Sequence, residues 1–211
     1  MVSSLRSETA RVVSLAERDL ARLWQLIAAG AAADEALHDL LPEIVREYGA
    51  LGGALAAEWY DQQREKAVVR GRFVAVPIEP ADRGAHALVG WALDTATDDA
   101  TLKTLILGGV QRRVADHVRH TVMDSSVADP AARGWQRVGN GGCTNGFCDM
   151  LIARGAVYSE ATADFAAHDH CQCSAVPAWT NEPKPVKPYT PTSRNITDAD
   201  RANLREYLAS H

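Results

Sequence analysis

The N-terminal part of the chain has the apolar spacing of an amphipathic helix. Between residues 5 and 27, apolar side chains recur at steps of three and four, so they share one helix face. Ser4 precedes this stripe and is a residue type that caps helix starts. The run AAGAAAD ends the pattern. The sequence therefore predicts a first helix up to that run, with Ser4 as its cap.

A second apolar stripe, between residues 37 and 59, contains a proline at position 42. Proline removes a backbone donor from a helix interior, so either a short helix ends before Pro42 or the helix kinks there. We expect a short helix from about Ala33 and a main helix from Pro42 to about Lys66.

The middle of the chain combines one β-prone segment with two helical ones. RFVAVPIEP is a short β-prone run ended by prolines and predicts a strand. AHALVGWAL predicts a short helix, and the segment from about residue 98 to 126 predicts a long one, which Thr97 or Asp98 caps. Gly108 and Gly109 weaken that helix, and we interpret them as sites of close packing.

The C-terminal third is divided into segments of different character. GWQRVGN predicts a strand, and a cysteine-containing window follows it. DMLIARGAVY then predicts one or two helical turns, a cap at Gly155 and a short strand. Residues 177–195 hold five prolines without periodicity, which is typical of an extended linker. ITDADRANLREYLAS predicts a terminal helix that Thr197 or Asp198 caps.

These segments predict a mainly α fold: a helical body, a small α+β zinc-binding module and a tethered C-terminal helix. We expect the body at residues 1–130 and the Cys/His module at 131–180. A proline-rich linker follows at 181–195, and the terminal helix spans 196–211.

Composition and charge limit the function classes. The chain has 211 residues, of which 46 % are hydrophobic, enough for a substantial core. The net charge of −5 and the absence of a Lys/Arg cluster argue against a nucleic-acid binder. Neither a signal region nor an apolar run of roughly 18 residues is present, so we expect a soluble protein made in the cytoplasm. In that compartment clustered cysteines are more often metal ligands or reactive thiols than disulfides.

All four cysteines and two histidines lie in one window. The candidate ligands are Cys143, Cys148, His168, His170, Cys171 and Cys173. Zinc takes four tetrahedral thiolate or imidazole ligands, commonly as two pairs separated along the chain. We expect Cys143, Cys148, His168 and one of Cys171 or Cys173 to bind zinc, with His170 in reserve. Buried thiols, local disulfides and a nucleophilic cysteine beside a histidine are the alternatives.

A resemblance to a known family covers residues 133–179. The order is GWQRV, a cysteine pair, M-L-x-x-R-G-x-V-Y, F-x-x-H-x-x-C-x-C and V-P-x-W. This resembles the phage Mu F-like minor head proteins of tailed bacteriophages, especially an actinobacteriophage branch labelled minor capsid protein or capsid maturation protease. EWYDQQR and GWALDTATDDATLKTLILGGVQR add to the match. H-x-x-C-x-C falls on His168, Cys171 and Cys173, favouring His168 over His170; the first pair is C-x4-C here, whereas relatives often have C-x2-C.

The resemblance implies a virion protein, and the spacing of the cysteines and histidines adds the expectation of a structural zinc site. Such a protein is made in the host cytoplasm and packaged in few copies in the head interior or at the portal vertex. Its expected partners are the portal and/or the major capsid protein during head assembly. No membrane contact is implied, and nucleic acid is met only incidentally inside the head.

A capsid maturation protease is the alternative function. A serine protease needs a serine, a histidine and an acid within reach. Arg113, His117, His120 and Asp124 share one helix face and Ser125 follows them, although such polar faces are usually solvated. Neither G-x-S-x-G nor H-E-x-x-H is present. The sequence therefore favours the assembly role.

Overall fold

A computed structural model describes residues 2–79, 83–139, 146–159 and 165–179, together with Ala202, Arg205 and Glu206. The elements are α1 (Val2–Ala28), α2 (Ala33–Lys66), α3 (Arg83–Thr95), α4 (Asp99–Ala128), β1 (Trp135–Val138), α5 (Gly146–Ala153) and β2 (Ser174–Pro177). The predicted mainly helical class is confirmed. Among the described residues no helix combines the length and apolar character needed to cross a membrane.

Two clusters of buried side chains hold the elements together. α2 lies against α1 and α4, α3 packs on α2 and α4, and β2 contacts α4. The first cluster, the bundle core, contains only residues of α1 to α4, among them Leu20, Leu41, Ile106 and Val110. The second, the junction core, joins the helices to the C-terminal segments through Leu5, Tyr60, Val122, Trp135 and Phe165, among others. The division into domains stays a prediction, but this second core shows that the helices and the Cys/His segment share buried surface.

Two predicted helix boundaries are wrong. α2 continues through Pro42, so the expected separate short helix does not exist. Its side chains at Leu41 and Val45 are buried in the bundle core on both sides of the proline, and this packing outweighs the missing backbone donor. α1 begins at Val2, which places Ser4 inside the helix rather than at its cap.

The long helix α4 follows its prediction closely. Asp98 caps it, because its Oδ1 accepts a hydrogen bond from the Thr101 amide at 2.7 Å. A side chain at Gly109 would overlap Leu88 of α3. Close packing at this glycine is confirmed, and it brings α3 against the middle of α4.

The predicted strand at RFVAVPIEP is wrong. Residues 72–79 have no regular secondary structure and lie across α2 and α4. Side chains take the place of a neighbouring strand: Asp61 Oδ1 accepts from the Ala75 amide at 3.0 Å, and Thr121 Oγ1 accepts from the Ile78 amide at 3.2 Å. A β-prone sequence forms a ladder only where a second strand lies beside it.

The small sheet positions the Cys/His segment. The predicted strand at GWQRVGN is confirmed as β1, which pairs antiparallel with β2, Trp135 opposite Pro177 and Val138 opposite Ser174. β2 was not predicted. The predicted helical turns are confirmed as α5, but α5 begins at Gly146, earlier than expected, and so contains Cys148; Gly155 follows with φ +66°. The strand expected after it is a single bridge between Tyr158 and Trp135.

The remaining predictions concern the C-terminal end. The proline-rich linker at 181–195 lies outside the described residues. Of the terminal helix, only Ala202, Arg205 and Glu206 are described, and they are helical.

Candidate metal centre

Three of the predicted ligands come together in the structure. One ligand atom from each of Cys148, His168 and Cys171 lies within 4.8 Å of the others. The two Sγ atoms are 4.0 Å apart, far beyond the roughly 2.05 Å of a disulfide. Two thiolates bound to one zinc at about 2.3 Å in a tetrahedron lie about 3.8 Å from each other. The donor set and its spacing therefore fit a metal ion.

Local structure sets each ligand in place. Cys148 lies on α5 and is fully buried. The Cys171 amide donates to the His168 carbonyl at 3.1 Å, which closes the turn of the H-x-x-C motif. His170 occupies that turn with φ +60° and an exposed side chain. The turn thus brings His168 to Cys171, whereas His170 is absent from the three-residue cluster found among the described residues.

The imidazole of His168 is oriented by its neighbour. Its Nδ1 lies 2.6 Å from the Asp169 carbonyl oxygen. A carbonyl oxygen only accepts, so Nδ1 carries the proton and Nε2 keeps the lone pair. Metal-binding histidines commonly donate their second ring nitrogen to a backbone carbonyl in this way.

Arg137 of β1 lies directly against the sulfur atoms. Its side chain is only 2 % exposed. Nη2 contacts Cys171 Sγ at 3.2 Å and Cys148 Sγ at 3.4 Å, while Nη1 donates to the Phe165 carbonyl. The guanidinium also lies over the Phe165 ring, 4.2 Å from its centroid. A buried cation requires a counter-charge, and these cysteines would supply it as metal-bound thiolates.

A second buried arginine connects this centre to the bundle. Arg119 of α4 donates from Nε to the Cys173 carbonyl at 3.1 Å and from Nη2 to the Cys171 carbonyl. Its Nη1 bonds Asp116 Oδ1 at 2.6 Å. The loop that carries Cys171 is therefore held on α4 by one side chain.

The two C-terminal thiols have opposite protonation preferences. A hydrogen bond from Cys173 lowers the pKa of Cys171, and the positive charges of Arg119 and Arg137 lower it further, against the effect of burial. The same hydrogen bond, together with burial, raises the pKa of Cys173. These directions favour Cys171 as the ionised sulfur of the pair and Cys173 as its hydrogen-bond donor.

The predicted ligands differ in where the structure places them. It brings Cys148, His168 and Cys171 together, and Cys173 hydrogen-bonds to Cys171 beside them. Cys143 lies outside the described residues. The identity of the metal as zinc and the complete ligand set stay predictions.

Sequence reasoning missed the two arginines. Arg137 lies two residues after Trp135, so both side chains are on the buried face of β1. Sequence reasoning could have used this period of two. Trp135 packs beside the Cys/His segment, since its ring stacks on Tyr158 with centroids 4.3 Å apart. No sequence pattern pointed to Arg119, because its role depends on a hydrogen bond to Cys171, which is 52 residues away in the chain.

The histidines and serine considered for proteolysis lie on α4. His117 is buried, and its Nδ1 lies 2.8 Å from the Arg113 carbonyl. The expectation of a solvated polar face is therefore wrong at this residue. Ser125 is also buried. Eight positions on one helix separate them by about 12 Å along its axis, so they do not form a hydrogen-bonded Ser–His pair.

Comparison with protein families gave one finding. The sequence model of a viral family described as VG15 protein matches residues 1–195, which include both cores and the metal centre. Comparison with curated proteins and with solved structures gave no match.

Proposed function

This chain belongs to the VG15 family of phage proteins, and we propose that it is a minor head protein of a tailed bacteriophage. It is present in several copies in the head interior or at the portal vertex, where it contacts the portal and/or the major capsid protein during assembly. The observation that carries this proposal is the Cys/His cluster. It gives a structural role to the same residues, His168 and Cys171, on which the resemblance to Mu F-like minor head proteins rests.

The metal in this proposal is a structural zinc ion. Cys148, His168 and Cys171 supply three donors, and Cys143 is the proposed fourth. A bound zinc would tie α5 to the loop before β2, and Arg137 would balance the thiolate charge. A closed set of four protein ligands leaves no position for substrate, which suits a structural rather than a catalytic site.

The ligand assignment is tested by metal content. We expect about one zinc per purified chain by plasma mass spectrometry. His168→Gln should lose it, whereas the matched variant His170→Gln should keep it. Equal zinc content in the two variants would contradict the assignment of His168.

The head-protein role is tested on virions. An antibody against this chain should detect it in purified particles and in tail-less heads, and the portal protein should co-purify with it from disrupted heads. A chain that is abundant in infected cells but absent from purified particles would contradict the proposal.

The protease alternative makes a different prediction in the same preparations. It requires that processing of a capsid or scaffold protein stops when Ser125→Ala or His120→Ala replaces the wild-type chain. Unchanged capsid processing, with normal incorporation of both variants, would leave the assembly role as the function.

A further inference from the structure

The segment between α2 and α3 has the side-chain alternation of a β-strand. Val74 and Val76 are 72 % and 70 % exposed, whereas Ala75 between them is 6 % exposed. Alternation with a period of two is the pattern of an extended chain with one face on a surface. Here the surface is formed by α2 and α4, and the valines stand on the opposite, solvent side.

Between Val74 and Val76 the backbone has one satisfied edge and one open edge. The Ala75 amide points sideways to Asp61 Oδ1, 3.0 Å away. In an extended chain the backbone groups of neighbouring residues point to the opposite edge. Among the described residues no hydrogen bond is made by the backbone of Val74 or Val76. Their amides and carbonyls therefore form an open edge beside exposed apolar side chains.

The C-terminal part of this segment is held against both helices. Thr121 Oγ1 of α4 accepts from the Ile78 amide at 3.2 Å. Gly53 of α2 has no side chain, and a Cβ there would lie 3.5 Å from Pro77 Cβ, so the segment packs closely on the helix. An edge fixed in this way loses little conformational entropy when a second strand pairs with it.

We propose that this edge pairs antiparallel with the same segment of a second copy of this chain. A register centred on Ala75 places Val74 opposite Val76 of the second copy, and both residues present their amide and carbonyl to the partner. Pro77 has no amide, but its nitrogen belongs to the edge that faces Asp61. The Ile78 amide is already donated to Thr121, so the ladder is confined to the two Val74–Val76 pairs. The contact is isologous, so it closes as a dimer.

The opposite charges at the two ends of the segment favour a second copy of this chain as the partner and an antiparallel orientation. Arg70 and Arg72 precede the valines and Glu79 follows them, and all three are exposed. An antiparallel pair brings the basic end of each segment beside the acidic end of the other. A parallel pair would place like charges together, which is unfavourable. The pairing is independent of the head-protein assignment.

The experiment is sedimentation of the full chain over a concentration range up to about 1 mM. The wild type should form a concentration-dependent dimer. Val76→Pro removes one open-edge amide from each copy and should raise the dimer dissociation constant at least about tenfold. Val76→Thr keeps the amide and β-branched shape and should dimerise nearly as the wild type. Equal melting temperatures of the two monomers would show that the fold is intact.

A charge swap tests the orientation. Arg72→Glu and Glu79→Lys should each weaken the dimer, and the double variant should restore it, because opposite charges again meet across the pair. A chain that stays monomeric, or a dimer that Val76→Pro leaves unchanged, would overturn the proposal. Failure of the double variant to recover would overturn the antiparallel register.

Discussion

At the scale of single residues, Arg137 shows how a buried charge depends on the sulfur atoms around it. Burial lowers the pKa of Arg137, but its contacts with the sulfurs of Cys171, Cys173 and Cys148 raise it above the ordinary value. Arg137 and the cysteines that ionise beside it would therefore stabilise each other. Each would be costly without its partner in this apolar setting.

Arg137→Met should weaken metal binding without removing a ligand. We expect a loss of about 10- to 100-fold in zinc affinity, as for other residues that support metal ligands, measured by competition with a chelator of known affinity. Arg133→Met is the control, because Arg133 is exposed and close in sequence. The same affinity in both variants would show that Arg137 is only a packing residue.

Asp129 is a second buried charge, at the end of α4. Its carboxylate accepts from Arg64 Nε at 2.9 Å, from the Tyr60 hydroxyl at 3.2 Å and from the Ala131 amide at 3.0 Å. Burial raises the pKa of Asp129, but the hydrogen bonds from Arg64, the Ala131 amide and the Trp179 indole lower it more, so the net pKa is below the ordinary value. Asp129 therefore stabilises the fold fully at a pH above the pKa that it has in the unfolded chain. This stabilisation is lost as the pH falls through the lower pKa that it has in the folded chain.

Asp129→Asn should lower the free energy of unfolding by about 3 kcal/mol at neutral pH, because Arg64 is left without its counter-charge. The difference from the wild type should shrink below about pH 4, the ordinary range of an aspartate. Urea unfolding at several pH values measures this difference in the free energy of unfolding. A difference that stays constant down to acid pH would contradict the ionic role.

At the scale of elements, α2 and α4 pack closely where a glycine faces a buried histidine. A Cβ at Gly49 would lie 2.8 Å from the His117 ring, and that ring is held by its contact with the Arg113 carbonyl. The helix pair therefore depends on the missing side chain. This close contact also explains why His117 is buried and why burial lowers its pKa.

Gly49→Ala should destabilise the protein by about 1–3 kcal/mol through this overlap, although alanine is the better helix former. Gly90→Ala is the matched control, because nothing lies within 4 Å of a Cβ at that α3 position. It should raise the free energy of unfolding by about 0.5–1 kcal/mol. Thermal unfolding of both variants measures the two effects, and stabilisation by both would contradict the close packing.

The helices and strands differed in how well the sequence predicted them. α1, α3 and α4 follow from a local period, since each residue of a helix bonds within its own element. RFVAVPIEP has strong β character yet forms no strand, and SAVP forms β2 without such a signal. Strand formation depends on which segment lies alongside, and that is decided by contacts between distant residues.

At the scale of the whole molecule, the metal centre and the bundle share the junction core. α1, α2 and α4 contribute to this core as well as to the bundle core. Arg119 adds a polar connection from α4 to the Cys171 loop. Loosening the metal centre should therefore also lower the stability of the helices.

Removal of zinc should lower the melting temperature of the whole chain in a single transition. Binding energy at such a site contributes directly to folding, and the common core makes the helices respond with it. Far-ultraviolet circular dichroism with and without a chelator measures this, and restored zinc should reverse it. Two separate transitions, with the helical one unchanged, would contradict this coupling.

The sequence by itself determined the helical class, the positions of most helices, a cap of α4 at Thr97 or Asp98 and the residues from which a metal site could be built. These features depend on short-range periods and on residue chemistry. Only the tertiary structure decided that α2 passes through Pro42, that Cys148 meets His168 and Cys171, and that two arginines support them. Cys148 and Cys171 are 23 positions apart, and their proximity results from the packing of α5, β1 and α4 together, which no local pattern encodes.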